Sequence, residues 1–227
     1  TAYRRQRQMC IRDSIITTSP IKGTIKRSDD PVTDNQLKEE LSSSEKNIAE
    51  NLMIVDVLRN DISRVSKKGS VEVTELAKIK SYKNVHHLVS TIKGLLSEKL
   101  DAIDLLFATL PGGSITGAPK IRAMEIISEL EKNRRGVYCG AIGFISFSKD
   151  SDFNIPIRTL TIADDTISIN CGGGIVSDSN AESEYQESID KIENILKENR
   201  KKIIKQSSNV NQKLSLIHIS EPTRRYA

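Results

Sequence analysis

The chain has 227 residues, 37% hydrophobic and 28% charged, which is enough apolar matter for one sizeable core and excludes a fibrous or disordered protein. No apolar run approaches the roughly 20 residues that a bilayer-spanning helix requires, and no signal-peptide stretch follows the basic start, so a soluble, cytoplasmic protein is expected. The net charge of +4 is concentrated at the ends: residues 1–14 hold four Arg and one Asp, residues 214–227 two Arg and one Glu, and the interior is neutral. With aromatics at 4% and no basic stripe among them, nucleic acid is excluded as a partner. Cys10, Cys139 and Cys171 have neither metal-ligand spacing nor a disulfide framework and read as reduced thiols.

The two ends stand apart from the rest. Residues 1–14 (TAYRRQRQMCIRDS) and 214–227 (LSLIHISEPTRRYA) show no clear helical or strand period, and both resemble translated sequencing-adapter read-through. They are expected to be non-native and are assigned no element, leaving residues 15–213 as the credible interior, a partial catalytic domain.

Along that interior, residues 15–18 are a short β-branched run stopped by Pro20, a strand feeding the turn-rich Lys22-Gly23-Thr24. Residues 28–34 read as loop. From Asp34, apolar residues recur at near-helical spacing through Leu58, interrupted by Ser42-Ser43-Ser44, which fits either one long helix or a break with a fresh N-cap. Residues 70–74 and 78–82 are predicted as two strands, 85–95 as strand and connection, and 102–109 as helix. Residues 111–119 form a glycine-rich loop, and 119–130 a helix with Pro119 in its first turn. Residues 137–147, 153–162 and 166–170 are predicted strands, ended by Gly172-Gly173-Gly174, and 181–202 a charged amphipathic helix. Strands and helices without regular alternation predict an α+β fold with largely antiparallel sheets.

Four constellations could carry chemistry. Lys22 beside Gly23 at a strand corner could present an amine closely to a ligand, although a single loop lysine is ordinarily a solvated charge. Glu50, in the segment AENLMIVDVLRND, offers a hard oxygen to a cation, but Asp56, six residues on, is poorly placed to share it. Glu184, Glu187 and Lys191 lie on one face of the last helix, where they could hold a cation beside an anion or form an ordinary surface pair. The glycine runs at 112–113 and 172–174 could bring backbone N–H groups to a carboxylate, and their spacing matches no nucleotide-binding fingerprint. His86 and His87 are adjacent in a strand and therefore point to opposite faces, so only one would line a site.

In order, the segments PIKGT, AENLMIVDVLRND, VHHLVST, LPGGSITGAPKIRAMEII, RRGVYCGAIGF, IPIRTL, CGGGIVSDS and EYQESIDK resemble the chorismate-utilising family of anthranilate synthase and aminodeoxychorismate synthase large components. The resemblance covers residues 19–191. It implies the C-terminal part of a two-sheet, largely antiparallel sandwich with helices packed outside, the chorismate-binding fold. Lys22 favours the aminodeoxychorismate branch of folate (para-aminobenzoate) biosynthesis, since other members usually carry alanine there.

That branch implies a transferase that aminates chorismate at C4, with Mg2+ as cofactor and ammonia from a glutamine amidotransferase small subunit in a heterodimer. By position, the resemblance makes Lys22 the nucleophile and places His87 near the departing hydroxyl. It makes Glu50 and Glu187 the metal ligands, with Glu184 acting through water. Gly23 and Thr24 would line the ring, and Tyr138, Arg158, Gly174 and Lys191 would hold substrate carboxylates. One departure stands out: where the family has a catalytic glutamate upstream of the lysine motif, this sequence has Arg5-Gln6-Arg7-Gln8, so an inactive fragment is expected. The alternatives are an anthranilate synthase large component, of tryptophan biosynthesis, and a non-catalytic chorismate-binding remnant.

Overall fold

Residues 85–95 are apolar or β-branched at most positions, and they form β5 (Val85–Leu95), an 11-residue strand buried along nearly its whole length. The computed structural model to which it belongs describes residues 7–163, 166–177, 179–206 and 213–218. β5 is paired along both of its edges. One edge pairs with β4 (Glu72–Ser81). The other edge is shared by β3 (Ile21–Lys26), against the first half of β5, and β2 (Ile15–Thr18), against the second half. β1 (Arg7–Arg12), β7 (Ser151–Asn154) and β6 (Ile142–Ile145) extend the sheet beyond β2, and all its pairings are antiparallel.

The chain divides into two compact units, and this sheet belongs to the first, which holds the chain up to Lys120 together with Ala141–Ile155. The core of the first unit forms between the sheet and α2 (Glu45–Ser63), which buries Ile54, Val55, Leu58 and Ile62 at helical spacing against Met9, Ile11, Ile16 and Ile92. Each such fully buried aliphatic side chain stabilises the fold by about 1.5–3 kcal/mol. α1 (Pro31–Ser43) is capped by Asp30, whose carboxylate accepts from Thr33 N at 2.9 Å. Ser44 then caps α2, so the serine triplet separates two helices. A capping box of Asp101 and Asp104 starts α3 (Ala102–Thr109) at the expected residue.

The second unit comprises Ile121–Gly140 and the chain from Pro156 onward. α4 (Lys120–Leu130) lies almost wholly within it. β8 (Thr159–Ala163) runs antiparallel to β9 (Thr166–Cys171), and β10 (Lys213–His218) runs parallel to β9, the exception to the antiparallel rule. Ile192 of α5 (Ala181–Gln206) packs on Ile169 and Cys171. Among the described residues no helix is long and apolar enough to cross a membrane.

Several sequence expectations need correction. The supposed turn at Lys22-Gly23-Thr24 lies inside β3, because Gly23 makes a bulge and not a reversal. The strands expected at 70–74 and 78–82 are one strand, β4, whose alternation is interrupted by two register shifts. The loop expected at 28–34 ends early, at the cap of α1. The strands expected at 137–147 and 153–162 are β6 to β8, with shorter and shifted bounds. Arg7–Arg12, given no element, is a strand with Met9 and Ile11 buried; two alternating apolar residues are too short a signal, and pairing on both edges stabilises the strand. Lys213–His218 likewise acquires a strand partner, while residues 219–227 and 1–6 lie outside the described residues.

Candidate active site

The first unit places Lys22 in a distinctive backbone setting. Ile21 pairs with Val89 and Thr24 with His87, so Lys22 and Gly23 together oppose Leu88 alone, a β-bulge that redirects the lysine out of the ladder. Gly23 adopts φ +87°, and a Cβ there would come within 3.0 Å of Leu41 Cδ1 and 3.2 Å of Asn47 Cβ, so both conformation and space require glycine. From this bulge the Lys22 amine reaches Glu50 on α2, with Nζ 3.5 Å from Oε2. Both side chains are partly buried, at 23% and 18% exposure, so this is not the solvated loop lysine that the bare sequence would suggest.

Beside the bulge, Thr24 Oγ1 and His87 Nδ1 are hydrogen-bonded at 2.8 Å, which fixes the imidazole plane, and Tyr82 meets the same ring edge-on with centroids 5.3 Å apart. Thr24 and His87 are also cross-strand partners, so the contact follows from the register after the bulge. His86 is fully buried and bonds instead to Asp34 Oδ1 through Nε2 at 2.9 Å and to Ser81 Oγ through Nδ1 at 2.8 Å. Asp34 also accepts from Arg27, by Nη2 at 2.9 Å, and from the Ser28 amide at 3.1 Å. The Arg27 guanidinium, reinforced by His86 and Ser28, holds the Asp34 carboxyl well below the usual carboxylate range. Two adjacent histidines thus have separate work, His87 beside Lys22's strand and His86 in a buried polar clamp.

In the second unit, α5 carries Glu184, Glu187 and Lys191. Lys191 Nζ lies 2.6 Å from Glu187 Oε1 and donates to Gly172 O at 3.1 Å. Ser179 donates to Glu184 Oε1 at 2.6 Å. A Cβ at Gly173 would sit 3.1 Å from Glu184 Oε2 and 3.7 Å from Lys191 Nζ, so the glycine run lets the backbone lie against this charged helix face. Gly174 follows in the same run. Arg158 is held at φ +50°, a left-handed conformation uncommon for a side chain of its size. Burial pushes the Cys171 thiol up, and the positive charges of Lys191 and Arg158 oppose that shift. Tyr138 is buried, with the Arg135 guanidinium 5.9 Å over its ring. Burial, the largest single influence, acts to lower the Arg135 pKa, but the hydrogen-bonded fork onto Glu131 together with the charges of Cys139, Glu131 and Tyr138 raises it.

Among the described residues, no group of three or more His, Cys, Asp or Glu lies close enough together to hold a metal ion. Mg2+ takes one or two hard carboxylates with waters and substrate oxygens. Glu50, Glu184 and Glu187 offer such oxygens on side chains that are not fully buried.

Sequence reasoning missed several polar residues that organise the first unit. Asn51 is fully buried and bonds to β5, and Asp61 is buried and paired with Lys120 Nζ at 2.9 Å. Burial raises the Asp61 pKa, with Lys120 opposing it. A polar residue at a core position of an amphipathic helix was the available signal, and both sit in the quoted segment AENLMIVDVLRND.

The chain is similar to proteins of known family. The family model for chorismate binding enzyme matches residues 7–197. Aminodeoxychorismate synthase component 1 of Escherichia coli (strain K12) is 55% identical over 186 residues, covering 82% of this chain and 41% of that protein. Anthranilate synthase component 1 of Aquifex aeolicus (strain VF5) is 47% identical over 187 residues, covering 82% and 38%. The crystal structure of anthranilate synthase component I from Streptococcus pneumoniae TIGR4 superposes with a TM-score of 0.69 at 42% identity, covering 82% of this chain and 41% of that one. The chain therefore spans about 41% of the length of the first of these relatives. With the family model matched over most of its length and the fold shared, the chain belongs to the chorismate binding enzyme family.

Proposed function

We propose that this chain is the lysine-bearing part of an aminodeoxychorismate synthase component 1, which aminates chorismate at C4. The observation that carries the reading is Lys22 itself, turned out of β3 by a glycine bulge and held beside Glu50. The 55% identity to a component 1 supports the same branch over anthranilate synthase, at 47%.

In this reading the Lys22 amine adds to C2 of chorismate. The ring diene shifts, the C4–O bond breaks, and the protonated hydroxyl leaves as water. Ammonia then forms a bond to C4 as the C2–N bond breaks and the lysine amine departs, so one hard displacement becomes two easier ones. Glu50 is placed to take a proton from the Lys22 ammonium, which frees the amine for addition. His87, its plane fixed by Thr24, holds a proton at the face where the hydroxyl departs. In the second unit Arg158, Tyr138, Lys191 and the Gly174 amide bind carboxylates, the guanidinium through its bidentate fork. The resemblance assigns carboxylates to Mg2+ in each unit: Glu50 in the first, and in the second Glu187, which would bind directly, and Glu184, which would act through water. When bound, the ion supplies charge neutralisation at the ring carboxylate and draws electron density from the ring. A glutamine amidotransferase subunit delivers the ammonia, and the three buried cysteines, none of them in a disulfide, agree with the reducing cytoplasm to which we assign the protein.

The test joins this chain behind the upstream portion of the Escherichia coli relative and supplies chorismate, ammonia and Mg2+. The expected product is 4-amino-4-deoxychorismate, and Lys22→Ala lowers its rate by orders of magnitude. Anthranilate as the product overturns the branch assignment. Chorismate binding without turnover overturns the catalytic reading in favour of a binding remnant.

A further inference from the structure

The bulge that redirects Lys22 is not the only irregularity along β5. On the opposite edge, Glu75 pairs with Thr91 and Lys78 with Val89, so Leu76 and Ala77 together oppose Ser90 alone. Ala77 is forced to φ +47°, and its amide is met by Ser90 Oγ at 2.8 Å. Ser90 uses its own amide to bond Pro20 O at 3.1 Å, two residues before Lys22. Two bulges on opposite edges therefore face β5 at Leu88 and Ser90.

Asn51 touches both of those positions. Its side chain is fully buried, donates Nδ2 to Leu88 O at 3.5 Å, and accepts at Oδ1 from the Ser90 hydroxyl. Ser90 Oγ is thus a donor to Asn51 and an acceptor from Ala77, both roles that one hydroxyl offers. Asn51 is the residue after Glu50, so fixing its side chain fixes the rotation of α2 at the turn that carries Glu50. The same node holds the strand junction leading into Lys22. An apolar residue would fill the space but would supply neither directional bond.

We infer that Asn51 and Ser90 are positioning residues that set the Lys22–Glu50 separation, acting through the two β-bulges of β3 and β4. The functional weight of this inference rests on the reading of Lys22 and Glu50 given above, while its geometric content can be tested without substrate. A carboxylate held against an amine withholds it from acylation, so the labelling rate of Lys22 reports the pair.

The experiment is limited acetylation of the full chain with acetic anhydride, with each lysine read by peptide mass spectrometry. Lys120 is the internal control, because its contact with buried Asp61 is lost only if the first unit opens. Glu50→Gln raises Lys22 labelling by up to about fivefold, the scale of a partly exposed ion pair. Asn51→Leu produces a rise of the same size with Lys120 still protected. The double variant Glu50→Gln/Asn51→Leu rises no further than Glu50→Gln alone, because Asn51 acts through Glu50. Unchanged Lys22 labelling in Asn51→Leu, or additive rises in the double variant, overturns the inference. Should Asn51→Leu also expose Lys120, Ser90→Ala, which removes one hydroxyl, decides by the same criteria. No chorismate enters the assay, so failure of the amination test would overturn the mechanism and leave the positioning node intact.

Discussion

Each unit of the molecule presents a lysine paired with a glutamate, and the two pairs are built in different ways. Lys191 and Glu187 are one helical turn apart on α5, 2.6 Å from one another, with Glu187 57% exposed. Such a pair forms on any helix with that spacing, which is why its functional weight comes from the resemblance and from the glycine run beside it. Lys22 and Glu50 come from a strand bulge and a separate helix, and no local rule brings them together. Their juxtaposition requires the register of β3 on β5, a positive φ at Gly23 and the rotation of α2. A contact that needs this much of the fold to exist says more about function than a closer one that needs only a helix.

The sharpest way to break the comparison is to apply one substitution to a buried and to a local pair. Lys120→Met strands the Asp61 carboxylate in the core and should cost about 3–5 kcal/mol, whereas Lys191→Met should cost below about 1 kcal/mol. Urea unfolding of the two variants checks this, and equal losses would mean that the buried pair is no more structural than the helical one.

A smaller, pH-dependent effect distinguishes the clamp around Asp34. Its folded pKa is depressed by Arg27, so below the ordinary carboxylate value the unfolded state binds more protons than the native state. The stabilisation is therefore complete above about pH 4 and is lost as pH falls through and below that value. Asp34→Asn should be less stable than the parent at neutral pH, and the gap should narrow on acidification. Urea midpoints measured from about pH 6 down to about pH 3 check the sign, and a gap that widens on acidification would contradict it.

Much of the fold was legible because its elements carry strong local signals. The helix expected at 102–109 is α3 to the residue, and the β2 bounds follow from a β-branched run ended before Pro20. What misled was irregularity inside strands. A glycine beside a lysine reads as a turn, but pairing of β5 on both sides of Gly23 keeps β3 extended. Ala77 gives no sequence warning of a positive φ, so β4 read as two strands. Residues 7–12 carry too short an apolar alternation to announce a strand, yet the sheet pairs them on both edges.

The candidate site was legible as a set of residues and illegible as geometry. The motifs named Lys22, Glu50 and His87, but only the register explains why Thr24 meets His87 and why His86 turns to Asp34. Asn51 and Ser90 lie within the same motifs but give no local signal of their role, since a buried amide or hydroxyl matters through partners remote in sequence.

The central claim is that Lys22 is the nucleophile, and the most direct measurement is peptide mass spectrometry after rapid quenching of the joined enzyme with chorismate in the absence of ammonia. The account predicts that the peptide containing Lys22 gains the mass of chorismate less one water, that added ammonia discharges it as the C4-amino product, and that Lys22→Ala carries no adduct. Amination by Lys22→Ala at the parent rate, or product accumulating in the parent with no peptide labelled, would contradict it.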